Sequence, residues 1–366
     1  MPVYLIADNI VSPLGNTTSE NFDALLQGHS GIRLHSIPAI HNQPFYASLL
    51  LDIETEHDST YTRFERMLIR SISKALNDSK VDITSASTGL VIATTKGNIS
   101  LIESENYPEQ KLPLHYSASM VAAHFGHPNK PVVVSNACIS GLTALITGKR
   151  MIDAGQYKNV VVAGADAISA FVFSGFNAFQ AVSPAPCKPY DSQRSGVTLG
   201  EAAATIILSA EGDGIRLTGS AGSNDANHIS GPSRTGRELS IAMKKAMTDA
   251  GIGAGDIDFI SAHGTATLYN DEMEAKAITL AALQTVPVNS MKGYYGHTLG
   301  AAGILESVIA IQSIKTDTIL PTLGFTELGV SELIAVSPTL QHKKITHCLK
   351  TASGFGGCNA AVIFSN

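Results

Sequence analysis

The sequence predicts an α/β protein built from two related halves that share one core. In each half an amphipathic helix (residues 63–78 and 237–250) ends in a short polar turn and leads to an apolar strand (residues 89–93 and 258–262). Each half then has a second strand whose carboxyl end carries a reactive residue and opens a helix. Because such strand ends converge where two βαβ units meet, we expect one site at the junction of the halves.

Composition narrows the possible functions. The 366 residues are 44% hydrophobic and only 15% charged, so a large core or a subunit interface must bury much of the surface. The net charge of −6 argues against general nucleic-acid binding, although a local basic patch is compatible with it.

Cysteine usage and the N-terminus predict a cytoplasmic protein with reduced thiols. The four cysteines, Cys138, Cys187, Cys348 and Cys358, form no CxxC pair, so neither a structural zinc site nor any other metal site is expected. The N-terminal residues lack the basic and apolar regions of a signal peptide, and no run approaches the ~18 apolar residues that span a bilayer.

Periodicity and turn signals predict the elements of the first half in order. Residues 33–59 and 94–115 show weak signals and are expected to be irregular and loop-like, respectively. In residues 63–78 the apolar stripe is Phe64, Met67, Leu68, Ile72, Ala75 and Leu76. The remaining predictions are strands at 3–7, 89–93, 131–134, 159–163 and 203–208, and helices at 19–26 and 118–125.

Two further segments leave alternatives open. Residues 171–182 are rich in aromatic and small side chains, which could line a pocket but more often pack in a core. On the 63–78 helix, Arg66, Arg70 and Lys74 share a face that is either solvated or a docking surface for an acidic partner.

The last strand is predicted at residues 361–364.

Cys138 occupies a chemically favourable position between the strand at 131–134 and a helical pattern that contains Leu142, Leu145 and Ile146. The first turn of a helix carries unpaired N–H groups and a partial positive charge, which favour a thiolate and a lowered thiol pKa. Alternatively, Cys138 is one more small buried residue. This stretch alone does not separate the two interpretations.

Three later stretches add candidate chemistry. Ser261 to Thr267 directly follow a strand and contain His263, while His297 begins a glycine- and alanine-rich helix that also holds Glu306. A glycine-rich turn, residues 353–359, precedes the last strand. Although a single histidine is more often structural than catalytic, two histidines at strand ends and a cysteine at a helix start form a coherent set.

Six motifs in a fixed order make the family resemblance specific: VSPLGN…LLQGHSGI, ACISG, KPYDSQRSGVTLGE, AHGTAT with Asp271 and Glu274, SMKGYYGHTLGAAG, and GFGGCN. Over nearly its whole length the chain resembles a β-ketoacyl-[acyl-carrier-protein] synthase of the thiolase-fold superfamily, in particular the elongating type II enzymes with a Cys-His-His triad. The resemblance implies a thiolase-like, five-layered αβαβα core. It also implies an N-terminal half, 1–210, with the nucleophile, and a C-terminal half, 211–366, with the histidine pair and gating loop.

The resemblance implies a role for each matching residue. Cys138 would take the acyl chain as a thioester, and His263 and His297 would stabilise the enolate formed when malonyl loses carbon dioxide. Lys292 would support the site electrostatically and Glu306 would order its hydrogen bonds. The backbone N–H groups of Cys138 and Phe355 would form the oxyanion hole, and Phe355 would gate the acyl pocket. Thr265, Thr267 and Gly356 would bind the substrate. No metal or redox cofactor would be needed, because the thioester itself activates the carbon. Phosphopantetheine on an acyl carrier protein would carry the substrates.

The resemblance also favours the docking interpretation of the basic helix face, because acyl carrier proteins are acidic. The residues implied are Arg63, Arg66, Arg70, Lys74 and Arg194. The chain would act as a homodimer or pair with a related subunit.

Several departures from the family pattern bear on the acyl pocket. The chain is shorter than the usual elongating enzyme, between residues 97 and 117 and again between 182 and 188, where the family forms its dimer interface and pocket wall. Cys358 replaces the usual threonine, and Tyr294 and Tyr295 replace smaller residues. These changes leave the acyl chain undetermined and mildly favour a specialised polyene or polyketide pathway over primary fatty-acid synthesis.

Three other functions are weighed against this one. A non-catalytic chain-length-factor subunit usually lacks the cysteine, which is present here. A histidine within GHTLGAAG argues against both a Cys-His-Asn initiating enzyme and a thiolase. Nothing else in the sequence supports a Cys-His hydrolase of unrelated fold.

Overall fold

The computed structural model describes residues 2–51, 60–227 and 229–366. The strands are β1 (Tyr4–Val11), β2 (Arg33–His35), β3 (Phe45–Ser48), β4 (Thr88–Ala93), β5 (Val132–Val134), β6 (Asn159–Asp166), β7 (Leu199–Gly200), β8 (Ala202–Ser209), β9 (Arg216–Asn224), β10 (Phe259–Ser261), β11 (Val288–Asn289), β12 (Thr318–Ile319), β13 (Gln341–His342), β14 (His347–Gly354) and β15 (Cys358–Ser365). The helices are α1 (Thr18–Leu26), α2 (Arg63–Asn77), α3 (Leu114–His124), α4 (Ser140–Asp153), α5 (Ala170–Ala178), α6 (Arg237–Ala250), α7 (Leu268–Leu280), α8 (Lys292–Tyr295) and α9 (Ala302–Thr316).

Within the described residues, the main sheet has ten strands in the order β11-β10-β14-β15-β9-β1-β8-β6-β4-β5. Its two sides repeat one pattern: β4 pairs in parallel with β5 and β6, and β10 pairs in parallel with β11 and β14. On each side the next two pairings towards the centre are antiparallel. A single antiparallel register, Tyr4 opposite Arg216, joins the sides, so the predicted pair of related halves is confirmed.

Helices lie between and outside the two sides of the sheet. Helices α4 and α9 pack against each other, α4 contacts β4 and β6, and α9 contacts β8 and β14. Helix α2 covers β1, β6 and β8 from outside, and α6 covers β9 and β15. The predicted five layers, αβαβα, are therefore present. The central layer is the helix pair α4 and α9, one helix from each half.

Two glycines let α4 and α9 approach closely. A Cβ at Gly141 would lie 2.8 Å from the Gly300 carbonyl oxygen, and one at Gly303 would lie 2.4 Å from the Leu142 nitrogen. Because any larger residue would separate these backbones, the glycines bring the start of α4 next to the segment before α9. Cys138 and His297 lie in those two segments.

Predictions made from strong periodicity are confirmed, whereas those made for segments with weak signals were wrong. In α2, Phe64, Met67, Leu68, Ile72 and Ala75 are buried as predicted, and Thr62 and Glu65 form a capping box that fixes the helix start. The segment expected to be irregular contains β2 and β3, which form a small sheet with β7, while residues 52–59 lie outside the described range. The segment expected to be loop-like contains two short 3₁₀ helices, Ile99–Glu103 and Glu109–Lys111, and α3 begins at Leu114.

No helix within the described ranges is both long and apolar enough to cross a membrane.

Candidate active site

A cavity of about 560 Å³ lies at the junction of the two halves. The predicted site residues that line it are Cys138, His263, Thr265, Thr267, His297 and Phe355. They come from four separate stretches of the sequence, and the structure brings them together at the junction, as the strand-end positions of Cys138, His263 and His297 predict.

Cys138 lies in a tight turn between β5 and α4. Its neighbour Ala137 has a φ of 44°, in the left-handed region that non-glycine residues rarely adopt, and such strain is typical of functional turns. The side chain of Cys138 lines the cavity but is only 7% exposed.

The expected lowering of the Cys138 pKa was wrong. Burial raises the pKa of the Cys138 thiol to about 12, and the positive charge of Lys292 offsets only part of this effect. A helix terminus contributes about 0.3–2 kcal/mol, which is roughly one pKa unit, whereas complete burial shifts a pKa by about 3–5 units. Desolvation therefore outweighs the helix start, and Cys138 rests as a neutral thiol.

His263 and His297 face each other across the cavity wall, with ring centroids 5.2 Å apart and ring planes nearly perpendicular at 83°. His263 follows β10, and the main chain of His297 is held by hydrogen bonds to Thr198 and Gly200 beside β7. Burial lowers the pKa of both imidazoles well below the usual value, and the charge of Lys292 lowers it further. Both rings are consequently neutral at physiological pH.

A buried ion network supports the two histidines. Lys292 Nζ donates to the His263 carbonyl oxygen over 3.0 Å and binds Glu306 Oε1. Lys350 Nζ lies 2.7 Å from Glu306 Oε2 and donates to the carbonyl oxygens of Ser261 and Ala262. Glu306 thus lies between two buried lysines. The sequence placed Lys292 and Glu306 in the site but did not identify Lys350.

A buried carboxylate holds the loop that carries His263. Glu274 accepts hydrogen bonds from the backbone N–H groups of His263 and Gly264, both over 2.8 Å. It also accepts from the hydroxyls of Tyr190, over 2.6 Å, and Thr351, over 2.7 Å. The motif AHGTAT pointed to Glu274 as part of a pattern, but its position under the loop depends on the tertiary fold.

Asp271 binds the same loop from the first turn of α7. It accepts from the backbone N–H groups of Thr265, over 2.9 Å, and Tyr190, over 2.7 Å. Burial raises the pKa of Asp271 to about 7. Thr265 and Thr267, whose hydroxyls lie 2.9 Å apart, are thereby fixed at the cavity wall.

The glycine-rich hairpin between β14 and β15 closes one side of the cavity. It touches the nucleophile turn, because a Cβ at Gly354 would lie 3.1 Å from the Cys138 nitrogen. Phe355 and Gly357 line the cavity. Gly356, predicted to bind substrate, is instead exposed, donates its N–H to the Ile229 carbonyl oxygen, and is not part of the lining, because the hairpin turns its backbone outwards there.

The aromatic segment 171–182 is divided between core and cavity. Val172 and Phe173 of α5 are buried in a core cluster, as expected. Phe176, which also packs against that cluster, and Phe179 line the cavity, so the segment adopts both of the alternatives that the sequence left open. The sequence pattern is the same for either environment, because both favour large apolar side chains.

The structure places at least three of the five proposed docking residues in internal contacts. Arg63 binds both carboxylate oxygens of the buried Glu201, at 2.6 and 2.7 Å. Arg66 donates to the Tyr61 carbonyl oxygen over 2.6 Å. Arg194 is buried and donates to the carbonyl oxygens of Asp191 and Gly329. Carrier docking on α2 stays a prediction, with Arg66 and Arg70 half-buried and Lys74 exposed.

Within the described ranges, no three histidine, cysteine, aspartate or glutamate side chains are grouped so that they could hold a metal ion. The absence of a metal requirement remains a prediction.

Family models and curated relatives both match the chain over most of its length. The model of the β-ketoacyl synthase N-terminal domain matches residues 1–213, and that of the C-terminal domain matches residues 215–326. The chain is 30% identical to a 3-oxoacyl-[acyl-carrier-protein] synthase 2 of Vibrio harveyi, over 99% of this chain and 98% of that one. It is 28% identical to the protein of the same name in Staphylococcus aureus, over 97% and 98%.

Similar solved structures agree in fold. The ketosynthase ApeO with its chain length factor ApeC, from Xenorhabdus doucetiae, gives a TM-score of 0.90 at 24% identity and covers 100% of this chain and 98% of that one. The ishigamide ketosynthase/chain length factor gives 0.91 at 24% identity, covering 100% and 99%. At these identities the likeness bears on the fold, and it confirms the thiolase-like prediction.

The alignment with the Vibrio harveyi relative also shows how short this chain is. The alignment has 408 positions and this chain has 366 residues, so at least 42 positions are gaps in this chain.

Proposed function

Because this chain belongs to the β-ketoacyl synthase family of acyltransferases, we propose that it condenses an acyl thioester on Cys138 with malonyl-acyl carrier protein, releasing carbon dioxide and β-ketoacyl-acyl carrier protein. One observation carries this proposal: the thiol of Cys138 and the neutral imidazoles of His263 and His297 line one cavity. A thiol can hold an acyl group, and two neutral N–H donors can stabilise an enolate without protonating it.

The first step is acyl transfer. The Cys138 sulfur forms a bond to the acyl carbon, the bond to the phosphopantetheine sulfur breaks, and the proton moves from the Cys138 thiol to the departing sulfur. Because burial keeps this thiol protonated, attack and proton loss occur together. The Cys138 N–H at the start of α4 and the Phe355 N–H would bind the oxyanion.

The second step forms the new carbon–carbon bond. The bond from malonyl to its carboxylate breaks, carbon dioxide leaves, and the electron pair passes to the thioester oxygen as an enolate. His263 and His297 would donate to this oxygen. The enolate carbon then attacks the acyl carbonyl, and the Cys138 sulfur leaves and regains a proton.

Lys292 and Glu306 prepare the histidines for this role. The Lys292 ammonium holds the carbonyl of His263, and its charge adds to the effect of burial, which lowers the pKa of both rings and keeps them neutral. Glu306 compensates the charges of Lys292 and Lys350, which would otherwise be buried without an anion. We infer that no metal or redox cofactor takes part, because the thioester itself activates the carbon.

Thr265 and Thr267 would bind the phosphopantetheine arm where they line the cavity, and the acidic carrier would dock near Arg66, Arg70 and Lys74 on α2. Among the described residues, strand β5 forms an edge of the main sheet and has no strand paired on its outer side, which supports association through that edge with a second copy or a related subunit. Light scattering on the purified chain distinguishes a homodimer from a monomer. We place the reaction in the cytoplasm.

Intact mass measurement tests the proposal directly. After incubation with a panel of acyl carriers, the protein should gain the mass of one acyl group, and Cys138→Ala should gain none. Cys348→Ala is the matched control, because Cys348 is a buried thiol in β14 that does not line the cavity. Undiminished loading of Cys138→Ala would overturn the assignment, and failure of the wild-type chain to load any carrier would favour the non-catalytic, chain-length-factor alternative.

A further inference from the structure

Three phenylalanine rings form a continuous wall of the cavity, here called the aromatic wall: Phe176, Phe355 and Phe179. The Phe176 ring stands perpendicular to the His297 ring, with centroids 6.4 Å apart. Phe355 packs on Phe176 at 5.7 Å and 33°, and Phe179 packs on Phe355 at 5.3 Å and 57°. All three distances lie in the range of favourable aromatic pairs.

The aromatic wall runs from the reaction centre to the cavity mouth. His297 is buried, Phe176 and Phe355 are half-buried, and Phe179 is 56% exposed. Three more exposed apolar side chains, those of Ile229, Leu268 and Tyr269, line the same cavity. Large apolar side chains that are exposed together around one cavity opening indicate that an apolar ligand covers them when it binds.

We propose that the aromatic wall selects acyl chains with a planar π-system next to the thioester, conjugated or aryl, over saturated chains of the same carbon number. A flat, conjugated chain can stack on ring faces and keeps few rotatable bonds, whereas a saturated chain loses torsional freedom when it lies against the same wall. This inference rests on the proposed function and adds a substrate class to it.

Phe179 is the residue through which the preference is best tested. It follows Phe176 by three residues and caps the C-terminal end of α5, and its exposure means that replacing it leaves the core packing intact. Phe171 offers a matched control, since it is also an exposed phenylalanine, lies at the other end of α5 and does not line the cavity.

The experiment is a competition between two eight-carbon thioesters, octa-2,4,6-trienoyl and octanoyl, each on the same acyl carrier protein. Equal amounts are mixed with the full chain, and the two acyl-enzymes are separated by intact mass. We expect the trienoyl group to load about three- to tenfold faster, the range in which aromatic pairing of this kind contributes. Phe179→Leu should lower that ratio to about two or less, and Phe171→Leu should leave it unchanged.

The outcomes separate this inference from the function on which it rests. Equal loading of the two chains by the wild-type protein, or a preference for octanoyl, would overturn the aromatic selection while leaving acyl transfer intact. An unchanged ratio in Phe179→Leu would overturn the role of the wall. Loading of neither chain, nor of any other acyl carrier, would instead reject the proposed function.

Discussion

Desolvation controls the reactive side chains at the scale of single residues. It raises the pKa of the Cys138 thiol to about 12 and lowers the pKa of His263 and His297 well below the usual value. The Cys138 thiol and both imidazoles are therefore neutral in the resting state. The proposed chemistry needs this arrangement, because a protonated imidazole would neutralise the enolate before it attacks.

Burial of the imidazoles predicts a pH dependence of stability. Each histidine protonates in the unfolded chain near pH 6.5 but resists protonation in the folded protein. The unfolded state therefore binds more protons below that pH, and the free energy of unfolding should fall as pH decreases from about 7 until the lowered folded-state pKa is passed.

His297→Asn isolates this effect from the carboxylates that titrate nearby. Denaturant unfolding between pH 7 and 5 should show a slope smaller by up to about 1.4 kcal/mol per pH unit in the variant than in the wild-type chain. Identical slopes would mean that His297 is not held neutral by the fold.

At the scale of elements, the first two turns of α7, which carry Asp271 and Glu274, fix the loop between β10 and α7. Glu274 alone accepts four hydrogen bonds from buried donors, two of them from the backbone of His263 and Gly264. The sequence indicated that a carboxylate follows the histidine motif. Which donors it binds depends on where Tyr190 and Thr351 lie, and both are distant in the chain.

Glu274→Gln should lower the free energy of unfolding by about 2–4 kcal/mol. The glutamine NH₂ group is a donor, so it could not accept the hydrogen bonds that one carboxylate oxygen of Glu274 now accepts. The condensation rate should also fall, since His263 loses its anchor. Glu272→Gln, on the same helix but partly exposed and bound to Ser331, is the control and should change the free energy of unfolding by less than about 1 kcal/mol. Equal losses in the two variants would show that Glu274 has no special positioning role.

Charge reversal on α2 tests carrier docking. Arg66→Glu with Arg70→Glu should raise the KM for the acyl carrier by about five- to tenfold and leave kcat almost unchanged, because long-range attraction contributes to encounter rather than chemistry. A small pantetheine thioester, which lacks the acidic carrier, should react as before. Lys244→Glu with Lys245→Glu, on the exposed face of α6 in the other half, is the matched control. An unchanged KM for the carrier would reject docking on α2.

At the scale of the whole molecule, features that depend on residue periodicity and on local motifs could be predicted from the sequence. The apolar stripe of α2 and the two related halves could be derived from residue spacing, and the convergence of Cys138, His263 and His297 from strand-end positions. Lys350 could not be identified, because a lysine within an apolar strand gives no sign of the anion that compensates it.

Two further departures from expectation share one physical origin. The raised pKa of Cys138 and the outward position of Gly356 both depend on how much water reaches that part of the chain, and so does the choice between core and cavity for residues 171–182. Water access is set by packing between segments distant in sequence. It is therefore the property that local pattern predicts least well.

The most direct test of the account is a complete condensation assay that follows carbon dioxide and the carrier-bound product together. With an acyl carrier and malonyl carrier, the wild-type chain should release carbon dioxide and form β-ketoacyl carrier in equal amounts. Cys138→Gln should still release carbon dioxide from malonyl carrier, since His263 and His297 remain, but should form no condensation product. Condensation by Cys138→Ala at the wild-type rate would contradict the account.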